Sequence, residues 1–274
     1  MKRKRVTEIF PFLVPLRIWQ RNIVVNTKMA LDKNHYAKKK GEELPFEIAS
    51  NKTWMINEQS GHNIIYQENK VHNLKITSQT MNKVYIYPGE IFSFNYLEKN
   101  TKNYGKLKDG LTLRNDKIIH EKGGGVCHLS NLLYYTFLHT PLTIVERHGH
   151  KIKSFPNPDK NSLDGVDATI NKGWQDLKVR NDTEHIFQII IDFDEEYMYA
   201  KILADYETDE IAEITNEGFK YIRKNDKVYE SVAVVKTIRS KKTKEVIEKK
   251  KLYDEIVAVG YELPEGTKIE EVKE

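Results

Sequence analysis

The clearest periodic pattern of apolar and polar positions in the chain follows a glycine-rich segment near its middle. The mostly apolar positions recur with the i, i+3, i+4, i+7, i+8 spacing of a helix that packs one face on a core. These positions are Leu129, Leu132, Leu133, Thr136 and Phe137. Pro141 comes soon afterwards, and proline cannot continue a helix. The pattern predicts a helix that begins near Cys127 and ends before Pro141.

The chain before this helix is predicted to be mostly helical, and the chain after it is predicted to be rich in strands. Residues 23–38 and 65–81 are candidate helices separated by charged and polar loops. Short apolar runs predict strands near residues 142–147, 166–170, 175–180 and 186–193. From about residue 197 apolar and polar residues alternate, which is typical of an antiparallel β element.

Turn residues predict hairpins between some of these strands. Asn115 and Asp116 separate two short apolar runs, and KNDK at residues 224–227 separates two β-rich runs. The lysine-rich KKTKEVIEKKK at residues 241–251 is most simply a solvated hairpin tip.

These elements together predict an α+β protein with three regions. Residues 1–83 form a mostly helical N-terminal region. Residues 84–195 form a central mixed domain, in which a cysteine at a helix N-terminus packs on antiparallel strands. Residues 196–274 form a β-rich C-terminal extension.

Composition limits the functions that need to be considered. The 274 residues are 39% hydrophobic and 31% charged, which is typical of a globular chain long enough for one large or two small domains. The net charge of +4 is spread over 44 basic and 40 acidic residues, so we expect no nucleic-acid partner. A single cysteine excludes an internal disulfide. The oligomeric state is not predicted.

The N-terminus has a positive start but an interrupted apolar run. MKRKR is followed by IFPFLVPLRIW, which contains Pro11, Pro15 and Arg17, whereas a signal peptide needs ~7 to 15 clean apolar residues and a cleavage site. We therefore predict a cytoplasmic protein without a signal peptide or transmembrane span. Basic and aromatic residues alternate with aliphatic ones to about Ala30, as in an interfacial helix. We expect this segment to dock on the protein's own core, with peripheral association at the inner membrane face as the alternative.

The single cysteine is placed where a nucleophile would be expected. Cys127 follows GGGV at the predicted helix start, where unpaired N–H groups and the positive end of the helix favour a thiolate. The glycines leave room for a substrate and for amides that hold an oxyanion. The alternative is a buried structural cysteine beside a tight turn.

Candidate partners for the cysteine follow along the chain. His148 and His150 come after the predicted strand LTIV, and Asp167 lies in the next predicted strand. Because residues i and i+2 share a face of a strand, both histidines can face Cys127, or one can while the other is solvated. The order Cys, His, Asp is that of papain-like and transglutaminase-like thiol enzymes. A zinc site that also uses His128 is less favoured, since adjacent helical residues point in different directions. We expect neither a metal nor a cofactor.

Five motifs in this order resemble the VanW family. They are PGEIFSF at residues 88–94, GGGVCHLSNLLYY at 123–135, HTPLTIVERHGH at 139–150, GVDATI at 165–170 and DLKVRNDT at 176–183. The resemblance implies a link to glycopeptide resistance. Some longer proteins with a VanW domain act as peptidoglycan L,D-transpeptidases that use a cysteine, and the matching residue here is Cys127. His150 matches a recurring histidine of the family, whereas many members have glutamine at the position of His128.

The resemblance and the residues together assign a role to each candidate. Cys127 would be the nucleophile, His150 the base, and Asp167 the residue that orients His150, with Asp176 as its substitute. An oxyanion would be held by amides of the glycine run or by neighbouring side chains, and the candidates are Gly124, Gly125, Ser130 and Asn131. Arg147 would hold a substrate carboxylate, and His128 and His148 would play supporting roles. The expected partner is a peptidoglycan stem peptide or its precursor. The alternative is a non-catalytic precursor-binding or accessory protein of a vancomycin-resistance cluster.

Overall fold

The structure is a computed structural model that describes residues 10–31, 35–58, 61–114, 117–154, 156 and 163–272. Its α-helices are α1 (Val14–Leu31), α2 (Ile64–Ser78), α3 (Phe94–Glu98) and α4 (Cys127–Leu138). The strands before α4 are β1 (Phe46–Trp54), β2 (Tyr85–Ile86), β3 (Ile91–Ser93), β4 (Asp109–Arg114) and β5 (Lys117–Lys122). Those between α4 and residue 204 are β6 (Thr143–Glu146), β7 (Ile152–Lys153), β8 (Lys178–Arg180), β9 (Phe187–Phe193) and β10 (Tyr197–Ala204). The last four are β11 (Glu210–Lys224), β12 (Lys227–Ser240), β13 (Val246–Val259) and β14 (Ile269–Glu271).

The strands form four sheets. A four-stranded sheet has the order β1-β10-β9-β2, and its neighbours are antiparallel. A five-stranded sheet has the order β14-β11-β12-β13-β7, antiparallel in its three long strands and parallel at both edges. The sheet β3-β8-β6 and the hairpin β4-β5 complete the set. The α+β prediction is confirmed, with helices in the N-terminal region and a β-rich C-terminal part.

Helix α4 lies at the centre of the hydrophobic core. All five positions of the predicted stripe are buried, and Leu129, Leu133 and Phe137 have no exposed surface. Phe137 packs on Phe92 of β3 with ring centroids 5.2 Å apart. Helix α4 also contacts β1 and β10 of the four-stranded sheet. Burial of this stripe, at about 1.5–3 kcal/mol for each large apolar side chain, fixes the helix that begins at the cysteine.

The N-terminal region differs from the sequence expectation in two ways. The candidate helix at 65–81 is confirmed as α2, but the one at 23–38 is replaced by α1, which starts earlier and ends at Leu31. The expectation of a mostly helical region missed β1, whose partner β10 lies about 150 residues further along the chain. Helix α1 contacts the rest of the protein through Arg21, whose Nε donates to the Gly173 carbonyl over 2.6 Å and whose guanidinium carbon lies 4.4 Å from the Trp174 ring centroid. Leu16 and Trp19 are 59% and 62% exposed, so docking of the whole segment stays a prediction. Residues 1–9 lie outside the described residues.

Most of the later strands agree with the predictions. Strands β6, β8 and β9 fall at or within the predicted runs, but residues 166–170 are irregular. The backbone of that segment bonds elsewhere: Thr169 N donates to the His148 carbonyl over 2.7 Å, and Ala168 N donates to the Asn131 side chain over 2.8 Å. The division at residues 83 and 195 stays a prediction.

The predicted hairpins are present, although one tip was placed too broadly. Asn225 and Asp226 connect β11 to β12 with φ of 50° and 58°, as a two-residue type I′ turn requires. The connection between β12 and β13 is short, and β13 begins at Val246, so only the first part of KKTKEVIEKKK is a tip. Strands β4 and β5 form the other hairpin, and its turn residues Asn115 and Asp116 lie outside the described residues.

Candidate functional site

Cys127 is the first residue of α4. The residue before it, Val126, provides no side-chain cap for the helix. The next two N–H groups bond within the turn: His128 N donates to the Gly125 carbonyl over 3.1 Å, and Leu129 N donates to the Val126 carbonyl over 3.0 Å. The thiol is partly exposed, and its Sγ lies 3.7 Å from the Ile170 carbonyl oxygen. The predicted helix start is therefore confirmed, and it places the sulfur at the positive end of the helix.

His150 and Asp167 lie together beside this cysteine. The Nδ1 atom of His150 donates to Oδ2 of Asp167, and the His150 backbone N–H donates to the same oxygen over 2.7 Å. Cys127 is also close enough to His150 to raise the pKa of its imidazole. The two hydrogen bonds to one carboxylate oxygen fix the tautomer and orientation of the imidazole, because Nδ1 carries the proton and Nε2 is left for other partners.

Electrostatics favour the charged forms of this group. Burial would lower the pKa of His150, but the hydrogen bond to Asp167 and the proximity of Cys127 outweigh it and raise the pKa to about 10. Burial would raise the pKa of Asp167, but His150 and Arg147 outweigh it and hold this pKa below its usual value. The arrangement is an imidazolium between a carboxylate and a cysteine, the form in which histidine stabilises a thiolate and can later donate a proton.

Arg147 fixes the carboxylate from the other end. Its Nε donates to the Asp167 carbonyl oxygen over 2.6 Å, and Nη2 donates to Oδ1 of Asp167 over 2.7 Å. Its Nη1 forms an ion pair with Glu255 Oε2 at 2.5 Å. Because these bonds and one to the Gly165 carbonyl engage the guanidinium, Arg147 is a positioning residue and is not free for a substrate carboxylate.

Glu255 is the member of this cluster that the sequence analysis missed. It lies on β13, 108 residues after Arg147. No local sequence pattern points to this pair. The packing around it is tight, since a Cβ at Gly149 would lie 2.8 Å from Glu255 Oε1 and one at Gly165 would lie 2.8 Å from Glu255 Cβ. We name Arg147, His150, Asp167 and Glu255 the His150 cluster.

Ser130 and Asn131 hold the Asp167 segment in place. The Ser130 hydroxyl donates to the Ala168 carbonyl over 2.6 Å, and Oδ1 of Asn131 accepts from Ala168 N over 2.8 Å. Both bonds join α4 to the residue that follows Asp167. The Ser130 hydroxyl is thus engaged by the protein, whereas the Asn131 side chain also lines a cavity next to the site.

The glycine run is packed against the protein itself. The Gly124 N–H donates to the Glu121 carbonyl, and a Cβ at Gly124 would lie 2.2 Å from the Gly110 backbone. Gly125 has φ of +88°, and a Cβ there would lie 2.3 Å from Lys70 Cγ. Room at these glycines is therefore used by the β4-β5 hairpin and by Lys70 rather than left for a substrate.

The remaining candidates lie apart from the imidazole of His150. Nε2 of His128 hydrogen-bonds the Thr53 hydroxyl at 2.9 Å, and burial together with the charge of Lys70 lowers the pKa of His128 to about 3. His148 pairs with Glu146 at 3.0 Å, so only one histidine of HGH faces the cysteine.

Asp176 is not brought to His150 and serves the start of α3. It accepts from the Ser93 hydroxyl over 2.5 Å and from Asn95 N over 2.9 Å. Within the described ranges, no group of three or more His, Cys, Asp or Glu residues is arranged to hold a metal ion.

A cavity of ≈ 1230 Å³ opens beside the cluster. Residues from many parts of the chain line it, among them Lys70, His128, Asn131, His150, Asp167 and Glu255. The charged imidazole thus faces a space large enough for a peptide segment.

Comparison with known proteins identifies the family. The chain is 42% identical over its whole length to Vancomycin B-type resistance protein VanW of Enterococcus faecalis, and the match covers 100% of both chains. The chain belongs to the VanW family. The family described as VanW like protein matches residues 69–203, a range that includes Cys127, His150 and Asp167 but ends before Glu255.

A more distant relative shares only part of the VanW chain. Uncharacterized protein YoaR of Bacillus subtilis is 27% identical over 129 residues, which cover 45% of this chain and 41% of that protein. No solved structure matches the chain. None of the helices in the described residues combines the length and apolar character that crossing a membrane requires.

Proposed function

We propose that this VanW-family chain is a thiol-dependent acyltransferase that acts on peptidoglycan stem peptides, with L,D-transpeptidation as its reaction, and that it contributes to vancomycin resistance. The observation that carries the proposal is the arrangement of Cys127 at the start of α4 with His150, itself fixed by Asp167. The full-length relative named as a vancomycin resistance protein supports the biological context.

The first half of the reaction forms a thioester. The Cys127 thiolate attacks the carbonyl carbon of the third stem-peptide residue, and a carbon–sulfur bond forms as the carbonyl π electrons move to oxygen. Collapse of this intermediate breaks the amide bond, and the amine of the terminal D-alanine leaves with the proton of His150. Asp167 keeps the imidazole oriented throughout.

The second half transfers the acyl group. The amine of another stem peptide attacks the thioester, His150 takes up its proton, and the thiolate leaves. Hydrolysis differs only in using water as the acceptor. The backbone N–H of Cys127 and the Asn131 side-chain amide are the donors that we assign to the oxyanion, at about 3 kcal/mol of barrier for each well-placed donor.

We also propose that α1 associates with membranes. It contains no Asp or Glu, has two arginines and one lysine, and exposes Leu16 and Trp19. The expected result is sedimentation with anionic vesicles that weakens in Trp19→Ser. Equal sedimentation of the variant, or none of the wild type, would contradict this. The cytoplasmic location stays a prediction.

The test of catalysis is the intact mass of the protein after incubation with a disaccharide tetrapeptide. A mass increase that matches the acyl-enzyme and is missing in Cys127→Ala would support covalent catalysis. If no adduct forms while Cys127 can be alkylated and the peptide binds, the non-catalytic precursor-binding alternative is the better description. That alternative draws on the size of the cavity and predicts that Cys127→Ser retains binding.

A further inference from the structure

Lys70 is a cation in the cavity of the candidate site to which no role has been assigned. It lies on α2, and its side chain lines the same cavity as His150 and Asp167. Burial is the only contribution to its pKa shift and lowers the pKa to about 8. Among the described residues, no carboxylate pairs with its ammonium group, which distinguishes it from Arg147.

The lysine stem is held in place next to the nucleophile. It lies against Gly125, two residues before Cys127, where only a glycine leaves enough room. Asn73, on the following turn of α2, donates to the Gly124 carbonyl over 3.0 Å and to the Lys108 carbonyl over 2.9 Å, and it accepts from Lys108 N over 2.8 Å. Helix α2 is therefore fixed to the loop that leads into α4.

Glu58 lines the same cavity, but no carboxylate of the described residues contributes to the pKa of Lys70. His128 is the basic neighbour, and it is kept neutral by burial and by the charge of Lys70 itself. An unpaired ammonium group in a partly desolvated cleft is complementary to an anion that arrives with the substrate.

We propose that Lys70 binds the free C-terminal carboxylate of the acyl-donor peptide and so selects donors whose scissile bond is the last one. This inference rests on the proposed function. The carboxylate carbon of the leaving residue is three bonds from the carbonyl carbon under attack, at most about 4 Å away. A cation beside the residues that precede Cys127 is suitably placed for it, whereas the guanidinium of Arg147 is engaged by Asp167 and Glu255.

The experiment measures binding, so it needs no turnover. Isothermal titration of Cys127→Ala at pH 6.5 compares a stem tetrapeptide that has a free C-terminus with the same peptide as its C-terminal amide. We expect the acid to bind at least tenfold more tightly than the amide. In Cys127→Ala/Lys70→Met this preference should fall below twofold because the acid alone is weakened, and Lys70→Arg should restore part of it.

Lys52 provides the matched control. It lines the same cavity, but it is exposed and its Nζ lies 4.0 Å from the Tyr197 ring centroid. Lys52→Met should leave the preference for the acid unchanged. Circular dichroism and thermal unfolding verify that each variant is folded, and Lys70→Met is expected to fold because it keeps the stem that packs on Gly125.

Three results would overturn the proposal. If Lys70→Met weakens binding of the acid and of the amide equally, Lys70 has a packing role. If the preference for the acid is unchanged, the peptide carboxylate binds elsewhere. If neither peptide binds to Cys127→Ala, the stem peptide is not a ligand of this cavity. Failure of the proposed catalysis looks different: Lys70-dependent binding of the acid would persist, but the wild type would form no adduct at Cys127.

Discussion

Two basic clusters flank Cys127, and burial has opposite consequences in them. In the His150 cluster, the carboxylate of Asp167 and the nearby Cys127 raise the pKa of the imidazole to about 10. In the second, which we name the Lys70–His128 pair, no carboxylate of the described residues offsets burial, and the pKa values of the two residues fall to about 8 and about 3. The same desolvation acts on both clusters, so the counter-charge decides which groups stay protonated. The first cluster suits chemistry at the thiol, and the second suits recognition of an anion.

The largest expected effect comes from removing the counter-charge of His150. Asp167→Asn should slow acyl-enzyme formation at Cys127 by about 10³-fold, because the imidazole loses both its charge partner and its fixed tautomer. The rate is measured by intact mass over time. Asp176→Asn is the matched control: burial raises the pKa of this aspartate, and it bonds Ser93 rather than His150, so acylation should continue. Equal loss in both variants would argue against a specific role for Asp167.

The second test uses the opposite pH dependence of the two histidines. Because the folded pKa of His128 is about 3 against an ordinary 6.5, the unfolded chain binds more protons as pH falls below 6.5, and the wild type loses stability. His128→Gln should lack this loss, so the free energy of unfolding of the variant relative to the wild type should rise by about 2 kcal/mol from pH 8 to pH 5. Urea unfolding at several pH values measures it.

His150→Gln should show the reverse sign. The raised pKa of His150 stabilises the folded wild type fully below pH 6.5, and this contribution is lost as pH rises towards about 10. The variant should therefore be weakest relative to the wild type at low pH and should recover at high pH. If the free energy of unfolding changed with pH in the same direction in both variants, the difference between the two clusters would be refuted.

The smallest expected effect tests how far the His150 cluster depends on the C-terminal sheet. Glu255→Gln removes the charge that pairs with Arg147 but keeps an acceptor, so we expect a loss of about 1 kcal/mol in the free energy of unfolding. Acylation at Cys127 should slow by less than in Asp167→Asn. Glu248→Gln, on an exposed part of the same strand, should change neither quantity. No change in Glu255→Gln would mean that Asp167 alone positions Arg147.

Local patterns in the sequence predicted the parts of the site that local physics determines. Helix α4 follows from its apolar spacing, Cys127 at its start follows from the glycines, and its end follows from Pro141. Strand β1 was missed because its alternation is weak and its partner is distant in sequence. The segment around Asp167 was predicted to be a strand. Its backbone instead bonds to side chains of α4, which occupy the place of a neighbouring strand.

Residues that act across long distances in sequence were harder to find. Glu255 lies in a highly charged stretch that indicates only a solvated strand, and its pairing with Arg147 depends on the packing of two sheets. The glycine run was interpreted as space for a substrate, and the sequence gives no indication that Lys70 fills part of that space. Only the distances between α2 and the loop before α4 show it.

The ion pair between Arg147 and Glu255 has a consequence for dividing the protein into fragments. A fragment limited to the residues that match the family, 69–203, would keep every atom that we assign to bond making and breaking. It would lack Glu255, so Arg147 would keep Asp167 as a charge partner but lose the second carboxylate. It would also lose Tyr253, whose hydroxyl donates to the Gly165 carbonyl over 2.9 Å. A fragment made for expression should therefore continue to the end of β13 at Val259. The segment that contains the reacting residues is thus shorter than the segment needed to hold them in place.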